Sequence, residues 1–445
     1  MWLARWLGHP SRVIPAVYLA AIAAGAALLM LPMSSATREP PSLINATFTS
    51  VSAICITGLA SVDTATVWSP FGQVVIMVLI QLGGFGIVTL ASFLTLFATG
   101  RISLQSSLLA GQELHQRNLA DTLRVPARIG AVMLAAESVT AAFLTVGFRR
   151  HSQDWGTALW HGIFHAISAF NNAGFALYSD NLMGFVGDPA IIVPICAAIV
   201  LGGVGFPVLF ELADRRGRGR AYWTAQTRLT VYGTLILLAL GIAAFALFEW
   251  NNTRTIGTLP LGDKLLASLA GGVFPRTAGF NTIDYATASE STIGINYVLM
   301  FIGGGSAGTA GGVKVGTVGI IIATVLAELR GEDQVVVAHR GIPASVQRSA
   351  MAIILLGFVV VGIATLAIVR LEQFTFQLVL FETISAFGTV GMSMGITPHL
   401  RPASLIVLML LMYLGRVGTI SVATALAVRA RHRHYRLPEE QIIVG

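Results

Sequence analysis

Thr277-Ala278-Gly279-Phe280 decides the reading of this chain, because the same arrangement returns three more times. It recurs as Ile56-Thr57-Gly58-Leu59, Asn172-Ala173-Gly174-Phe175 and Thr389-Val390-Gly391-Met392, so the four glycines are 116, 105 and 112 residues apart. An apolar, serine-bearing stretch precedes these glycines, and a second glycine-centred knot follows 24 to 28 residues later. Those knots are Leu82-Gly83-Gly84-Phe85-Gly86, Leu201-Gly202-Gly203-Val204-Gly205, Ile302-Gly303-Gly304-Gly305 and Leu414-Gly415-Arg416-Val417-Gly418. Glycine tolerates positive φ and lets backbones approach closely. Four quasi-equivalent glycine segments can turn main-chain carbonyls toward one axis and replace the water shell of a dehydrated cation. The repeat predicts a fourfold pore in one polypeptide. Helix packing by small residues would explain one such glycine, but not four in register with the same flanks.

Composition supplies the setting. The chain is 55% apolar and 11% charged, with a mean hydropathy of +0.75, which belongs to the membrane class. Charge-poor runs long enough to cross a bilayer, about 20 residues each, occur near 13–33, 72–98, 129–148, 187–212, 229–250, 293–327, 350–370 and 403–428. Shorter runs at 44–57, 158–173, 262–278 and 376–390 end at the repeated glycines and read as re-entrant half-helices. The expected fold is an all-α polytopic membrane protein: eight transmembrane helices plus four re-entrant pore half-helices, in four pseudo-repeats (outer helix, pore helix, inner helix) around one central pore. The repeats divide the chain into 1–98, 99–212, 213–327 and 328–445, each of the last three opening with a cytoplasmic loop and the last closing with a short basic tail.

Orientation follows from Lys and Arg placement. Segments 1–12, 99–128, 213–228, 328–349 and 429–445 hold 18 of the 28 basic residues, so both termini are expected in the cytoplasm. The cluster Arg215-Arg216-Gly217-Arg218-Gly219-Arg220 and the net charge of +7 read as orientation and inner-leaflet signals rather than as a nucleic-acid site. The two cysteines, Cys55 and Cys196, lie in apolar segments and indicate no disulfide framework. The run from Val13 is of spanning length and Leu31-Pro32-Met33-Ser34 lacks a small-x-small cleavage site, so it is expected to be retained.

Half-helices that aim their carbonyl ends at an axis favour cations there. The expected ion-binding residues are Thr57, Gly58, Ala173, Gly174, Ala278, Gly279, Val390 and Gly391. Glycine at all four central positions suggests potassium over sodium, by likeness to other filters. Asp63, Asp180 and Asp284 follow three of the glycines by five or six residues and could form a partial carboxylate ring at the outer mouth; ordinary solvated turn residues are the alternative.

Gly303 to Gly312 holds six glycines in ten residues. Continuing a helix through it would cost roughly 6 kcal/mol at about 1 kcal/mol per glycine. A loop below the filter is expected instead, with Gly303, Gly304, Gly305, Gly308, Gly311, Gly312 and Lys314 as gate candidates; a passive kink is the rival. A phosphate cradle fits poorly, since Lys314 is followed by Val315 rather than Ser or Thr. Arg416 stands where the other repeats have Gly84, Gly203 and Gly304. An arginine at a helix centre costs about 2.5–3.5 kcal/mol to insert, so it usually faces a wet interior. A cation about 10 Å away would feel roughly 1.7 kcal/mol of repulsion at an effective dielectric near 20. Arg416 is therefore a second gate candidate, with a purely structural tie to backbone carbonyls as the alternative. Glu382, at a pore-helix position, reads as a tether, and Glu137 has no assigned role. His161 and His165 are one turn apart but lack the Glu of H-E-x-x-H and a third ligand. An enzyme built on His161, His165 and Lys314 would leave the symmetry unused, and a scaffold has no need of the glycine loop.

With these residues in hand, the chain resembles the Trk/Ktr/HKT superfamily of cation transporters, and within it the Ktr-type membrane subunit. The most specific pieces are Pro275-Arg276-Thr277-Ala278-Gly279-Phe280-Asn281-Thr282, the loop Gly303 to Lys314, and Leu414-Gly415-Arg416-Val417-Gly418. The resemblance implies potassium uptake in a bacterial plasma membrane by a non-enzymatic homodimer, filter glycines at 58, 174, 279 and 391, and a gate at the loop and Arg416. It implies a cytosolic nucleotide-binding regulatory ring as a separate partner, any nucleotide residing there, with no covalently bound cofactor. A sodium-selective or sodium/potassium-coupled relative is the alternative.

Overall fold

The computed structural model describes residues 10–85, 124–152, 154–214 and 223–418. Stretch 86–98, the arginine cluster 215–220, segment 419–428 and tail 429–445 lie outside the described residues, as do most of the loop 99–128 and all but the last three residues of 1–12.

Helices follow in a repeating long–short–short order. The first group is α1 (Pro10–Leu29), α2 (Leu43–Ile54) and α3 (Pro70–Gly84); the second is α4 (Arg124–Arg149), α5 (Trp155–Phe170), α6 (Pro189–Val204) and α7 (Phe206–Asp214). The third is α8 (Ala225–Glu249), α9 (Leu261–Val273), α10 (Glu290–Phe301) and α11 (Val315–Leu329); the fourth is α12 (Ala344–Leu371), α13 (Phe376–Gly388) and α14 (Pro402–Tyr413), followed by a π-turn at Leu414–Gly418. Their starts are chemically marked. Ser69 and Asp188 cap α3 and α6 just before Pro70 and Pro189, and Ser42, Asp154, Thr224 and Ser289 accept first-turn N–H groups of α2, α5, α8 and α10. The Thr157 hydroxyl and amide hold the exposed Asp154 carboxyl below its usual range.

Among the described residues, 125–149 of α4, all of α8 and all of α12 are long and apolar enough to cross a bilayer, and the α6–α7 pair joins them if taken as one bent span. Their outward faces carry Leu235, Ile236 and Leu240 on α8 and Leu355, Phe358 and Ile363 on α12, all exposed. Apolar surface on that scale suits lipid rather than water.

Each long helix packs against its own short one: α1 on α2, α4 on α5, α8 on α9, α12 on α13. Each third helix then packs against the short helix of the next group: α3 on α5, α6 on α9, α10 on α13, and α14 back on α2. The circuit closes. The C-terminal parts of the short helices are buried at its centre, among Phe48, Phe164, Phe170, Phe274 and Phe381. Two buried hydroxyls tie these helices to their neighbours: Ser50 Oγ donates to the Ile22 carbonyl at 2.8 Å, joining α2 to α1, and Thr365 and Thr383 share a 2.7 Å bond between α12 and α13.

Three local expectations are corrected. The run 187–212 is not one straight span: α6 and α7 meet at 94°. Gly205, at φ 98°, makes the corner, and a Cβ there would overlap the Ser306 carbonyl oxygen, so the bend brings α6 onto the glycine loop. The short helices stop three to six residues before the repeated glycines rather than at them. The chain is not wholly α: β1 (Val336–Val337) and β2 (Arg340–Gly341) form a hairpin turned by Ala338 and His339, both left-handed.

Candidate functional site

The short helices end on left-handed residues. Ile56, Asn172, Thr277 and Thr389 have φ of 56°, 57°, 64° and 49°, and two positions later Gly58, Gly174, Gly279 and Gly391 have φ of 85°, 74°, 73° and 95°. Thr57, Ala173, Ala278 and Val390, between them, keep negative φ. In three repeats the turn is a Schellman motif. Its inner bonds are Ile56 N to Ala53 O, Asn172 N to Ala169 O and Thr389 N to Ala386 O, at 3.0–3.1 Å. Its outer bonds are Thr57 N to Ser52 O, Ala173 N to Ser168 O and Val390 N to Ser385 O, at 2.7–2.8 Å. The third repeat departs, with Ala278 N bonding to Phe274 O at 3.1 Å. A β-branched residue in the left-handed region is strained, and such strain concentrates at functional sites. The glycine spacing alone did not reveal these second positions.

The eight expected ion-binding residues come together. A Cβ on Gly58 would overlap the Ala173 carbonyl oxygen; on Gly174 it would press on Gly279 and the Ala278 carbonyl; on Gly279 it would overlap the Val390 carbonyl; on Gly391 it would overlap the Thr57 carbonyl. Each glycine thus faces the residue before the glycine of the next repeat, and the fourth faces the first. This is a closed ring of main-chain segments with no room for side chains at its narrowest contacts.

The second glycine knots have a defined packing role. A Cβ on Gly83, Gly202 or Gly415 would overlap the carbonyl oxygen of Ile54, Phe170 or Phe387, in each case four residues before the ring glycine. Gly303 instead lies against the Gly311 carbonyl, because the third group breaks at this point into a loop. The break is the one expected: α10 ends at Phe301 and α11 begins at Val315. Gly305 N donates to Gly203 O at 2.8 Å, Thr309 N to Gly202 O at 3.2 Å and Phe206 N to Ala307 O at 3.2 Å. Lys314 Nζ donates to Ala310 O at 2.6 Å.

Arg416 is buried beside this loop. Its Nη1 donates to the Thr309 carbonyl, its Nη2 to Gly83 O at 3.0 Å, and its Nε reaches Tyr18 Oη at 3.5 Å. A second buried arginine, Arg276, donates to Thr234 O at 3.4 Å and Gly303 O at 3.2 Å. Its motif was evident in the sequence; its hold on the start of the loop was not, because the two segments lie 27 residues apart.

Other polar positions brace the chain beyond the ring. Glu382 accepts from Ser393 Oγ, from Met394 N at 3.2 Å and from Thr397 Oγ1 at 2.8 Å. His165, at the equivalent place in α5, takes Leu177 N at 3.3 Å on Nε2, while His161 Nδ1 bonds Tyr178 Oη at 2.7 Å. Glu137 accepts from Gln81 Nε2 at 3.0 Å and Asn171 Nδ2 at 2.9 Å, linking α4 to α3 and to the end of α5. The three outer aspartates are turn formers. Asp63 caps Ala65 N at 2.9 Å and accepts from Ser179 Oγ at 2.5 Å, Asp180 accepts from Gly184 N at 2.9 Å, and Asp284 caps Ala286 N at 2.9 Å.

Residues 13–435 match the family model described as TrkH, cation transport protein. The chain belongs to that family. The resemblance carried by 275–282, 303–314 and 414–418 is thereby borne out, and the family is one of membrane ion transporters rather than enzymes. The chain is similar over 436 residues, at 38% identity, to the Ktr system potassium uptake protein B of Bacillus subtilis, with 98% of this chain and 97% of that protein covered. It is 34% identical over 438 residues to the protein of the same description from Vibrio alginolyticus (98% and 95% covered), and 32% identical over 443 residues to the potassium/sodium uptake protein NtpJ of Enterococcus hirae (98% and 97%). The crystal structure of the potassium transporter TrkH from Vibrio parahaemolyticus superposes with a TM-score of 0.72 at 17% identity, covering 94% of this chain and 84% of that one, which shows a shared fold. This TrkH-family chain is accordingly a multi-pass membrane protein.

Proposed function

We propose that the chain mediates potassium uptake through a central pore in which the four-glycine ring is the selectivity filter. The observation that carries this reading is the closed circuit of glycine-to-carbonyl contacts, from Gly58 through Gly174 and Gly279 to Gly391 and back to Thr57. Main-chain oxygens held in such a ring can stand in for a cation's water, and four converging half-helix carbonyl ends favour positive charge. The Ktr system potassium uptake proteins that this chain resembles support potassium as the cargo.

In this reading eight spans and four half-helices form four repeats with both termini in the cytoplasm. The loop from Gly303 to Gly312, with Lys314 and Arg416, closes the path below the filter, and Arg416 adds a positive charge that a passing cation must overcome. Asp63, Asp180 and Asp284 raise the local cation concentration at the outer mouth while shaping its turns. The subunit works as a homodimer in a bacterial plasma membrane. A cytosolic nucleotide-binding ring of the kind a Ktr system pairs with its membrane subunit regulates it from below.

Sodium passage or coupling is the second reading, favoured by the Enterococcus hirae potassium/sodium uptake protein, which is less similar than the two Ktr system B proteins. Growth rescue of a potassium-uptake-deficient bacterium separates the two. Rescue at low potassium without added sodium supports the first reading, rescue only with sodium supports the second, and no rescue by protein that reaches the membrane with its regulatory partner opposes both.

A further inference from the structure

The loop does more than lie beneath the ring. Thr309, fully buried, shares its one hydroxyl proton between Asn172 Oδ1 at 3.3 Å and Phe170 O at 3.2 Å, while its carbonyl is held by Arg416. Asn172 is the left-handed residue two before Gly174, and its Nδ2 donates onward to Thr277 Oγ1 at 3.3 Å, the equivalent residue of the next repeat. A Cβ on Gly303 would lie 3.4 Å from Thr277 Cγ2, and one on Gly311 would overlap Thr389 Oγ1, the left-handed residue of the fourth repeat. The first repeat is reached through Arg416: Gly83, whose carbonyl it holds, packs on Ile56, a Cβ there lying 2.9 Å from Ile56 Cγ1. All four left-handed residues that launch the ring segments therefore rest on the loop or on the strand of contacts that Arg416 holds to it.

We infer that the loop is a floor that sets the geometry of the filter, with Asn172 and Thr309 as specificity-determining positions, so that ion selection loosens when the loop moves. This rests on the filter reading of the glycine ring. The physical reason is that a left-handed, partly strained turn persists only where its surroundings over-determine it. Withdrawing the Thr309 hydroxyl leaves Asn172 free to relax, and with it the carbonyl of Ala173. A loop that only blocks the path would alter flux and leave selection alone.

The test uses the full-length protein reconstituted in liposomes, with potassium and sodium flux measured separately for Thr309→Val, Thr309→Ser and Gly391→Ser. Thr309→Val keeps the shape and the carbonyl that Arg416 holds but loses the hydroxyl donor; the potassium/sodium flux ratio is expected to fall by about three- to tenfold, the scale of one buried hydrogen bond. Thr309→Ser retains the donor and is expected to hold the ratio within about twofold of the unaltered protein. If Thr309→Val does not yield folded protein, Asn172→Gly, which keeps the left-handed backbone and removes both bonds, is expected to show the same fall. An unchanged ratio in the folded variant, with flux altered or not, overturns the inference and leaves the loop a plug. If Gly391→Ser also leaves the ratio unchanged, the filter reading itself fails and takes the inference with it; a shift in Gly391→Ser alone removes only the inference.

Discussion

Arg416 Nη2 donates to the Gly83 carbonyl at 3.0 Å, fastening the turn after α14 to the end of α3 while Nη1 of the same guanidinium holds the Thr309 carbonyl of the loop. One side chain thus ties the first, third and fourth groups together beneath the ring. Among the described residues no ion pair joins Arg416 to a carboxylate, and its guanidinium meets two carbonyls and the Tyr18 hydroxyl. Arg416→Ala removes both the tie and the charge. Cation flux without a regulatory partner is expected to rise, by roughly tenfold if about 1.4–1.7 kcal/mol of barrier is lost. Tracer flux into liposomes measures it, and unchanged or lower flux in folded protein would contradict the barrier.

Gly202 and Gly294 form a matched pair. A Cβ on Gly202 would overlap the Phe170 carbonyl, whereas one on Gly294 would meet nothing within 4 Å. Gly202→Ala should depress the yield of monodisperse protein severely, since the obstruction is backbone. Gly294→Ala should be tolerated and, inside α10, slightly stabilising, by up to about 1 kcal/mol. Fluorescence-detected size exclusion of the two variants compares them, and equal yields would show that the knots are not tight contacts.

Glu382 accepts three hydrogen bonds from the segment after the fourth ring glycine. Glu382→Ala leaves the buried donors at Met394 and Thr397, and the half-buried one at Ser393, without their acceptor, at a cost of about 1–3 kcal/mol for a lost buried partner. A lower thermal midpoint in detergent is expected. On the proposed filter reading of the ring, potassium retention there should weaken as well, which ion protection against heating reads directly; a midpoint and an ion protection both equal to the unaltered protein's would remove Glu382 from the support of this segment.

The outer aspartates carry a salt-dependent prediction. Replacing Asp63, Asp180 and Asp284 together with Asn keeps cap acceptors but removes three negative charges. Uptake at low ionic strength should fall several-fold, and the difference should shrink above about 0.15 M salt, where the screening length is about 8 Å. A deficit independent of salt would assign these residues to turn formation alone.

How much of this was legible in the sequence depends on the range of the interaction. Periodic glycines, apolar runs and the six-glycine loop are local signals, and in the fourth group they marked their elements within six residues: Phe376–Gly388 against an expected 376–390, Ala344–Leu371 against 350–370. The bend at Gly205 was not legible, because it is packed against the Ser306 carbonyl, about 100 residues away in sequence. Nor was the left-handed geometry at Ile56 and Thr389, since β-branched residues argue against it and only the Schellman turn and the surrounding core impose it. Arg416 was conspicuous as a charge in an apolar run, while Arg276 stood in a motif whose hold on Gly303 and Thr234 only the structure reveals. Glu137 had no reading until Gln81 and Asn171 were placed beside it.

The proposed selection of the ion by the four-glycine ring is tested at Gly391, because the Thr57 carbonyl that closes the ring already lies where a Cβ would stand. The decisive measurement is the potassium/sodium flux ratio of Gly391→Ser against the unaltered protein, in the same liposomes and with folding checked by size exclusion. A marked loss of potassium preference is predicted, and an identical ratio in folded, conducting protein would contradict the account.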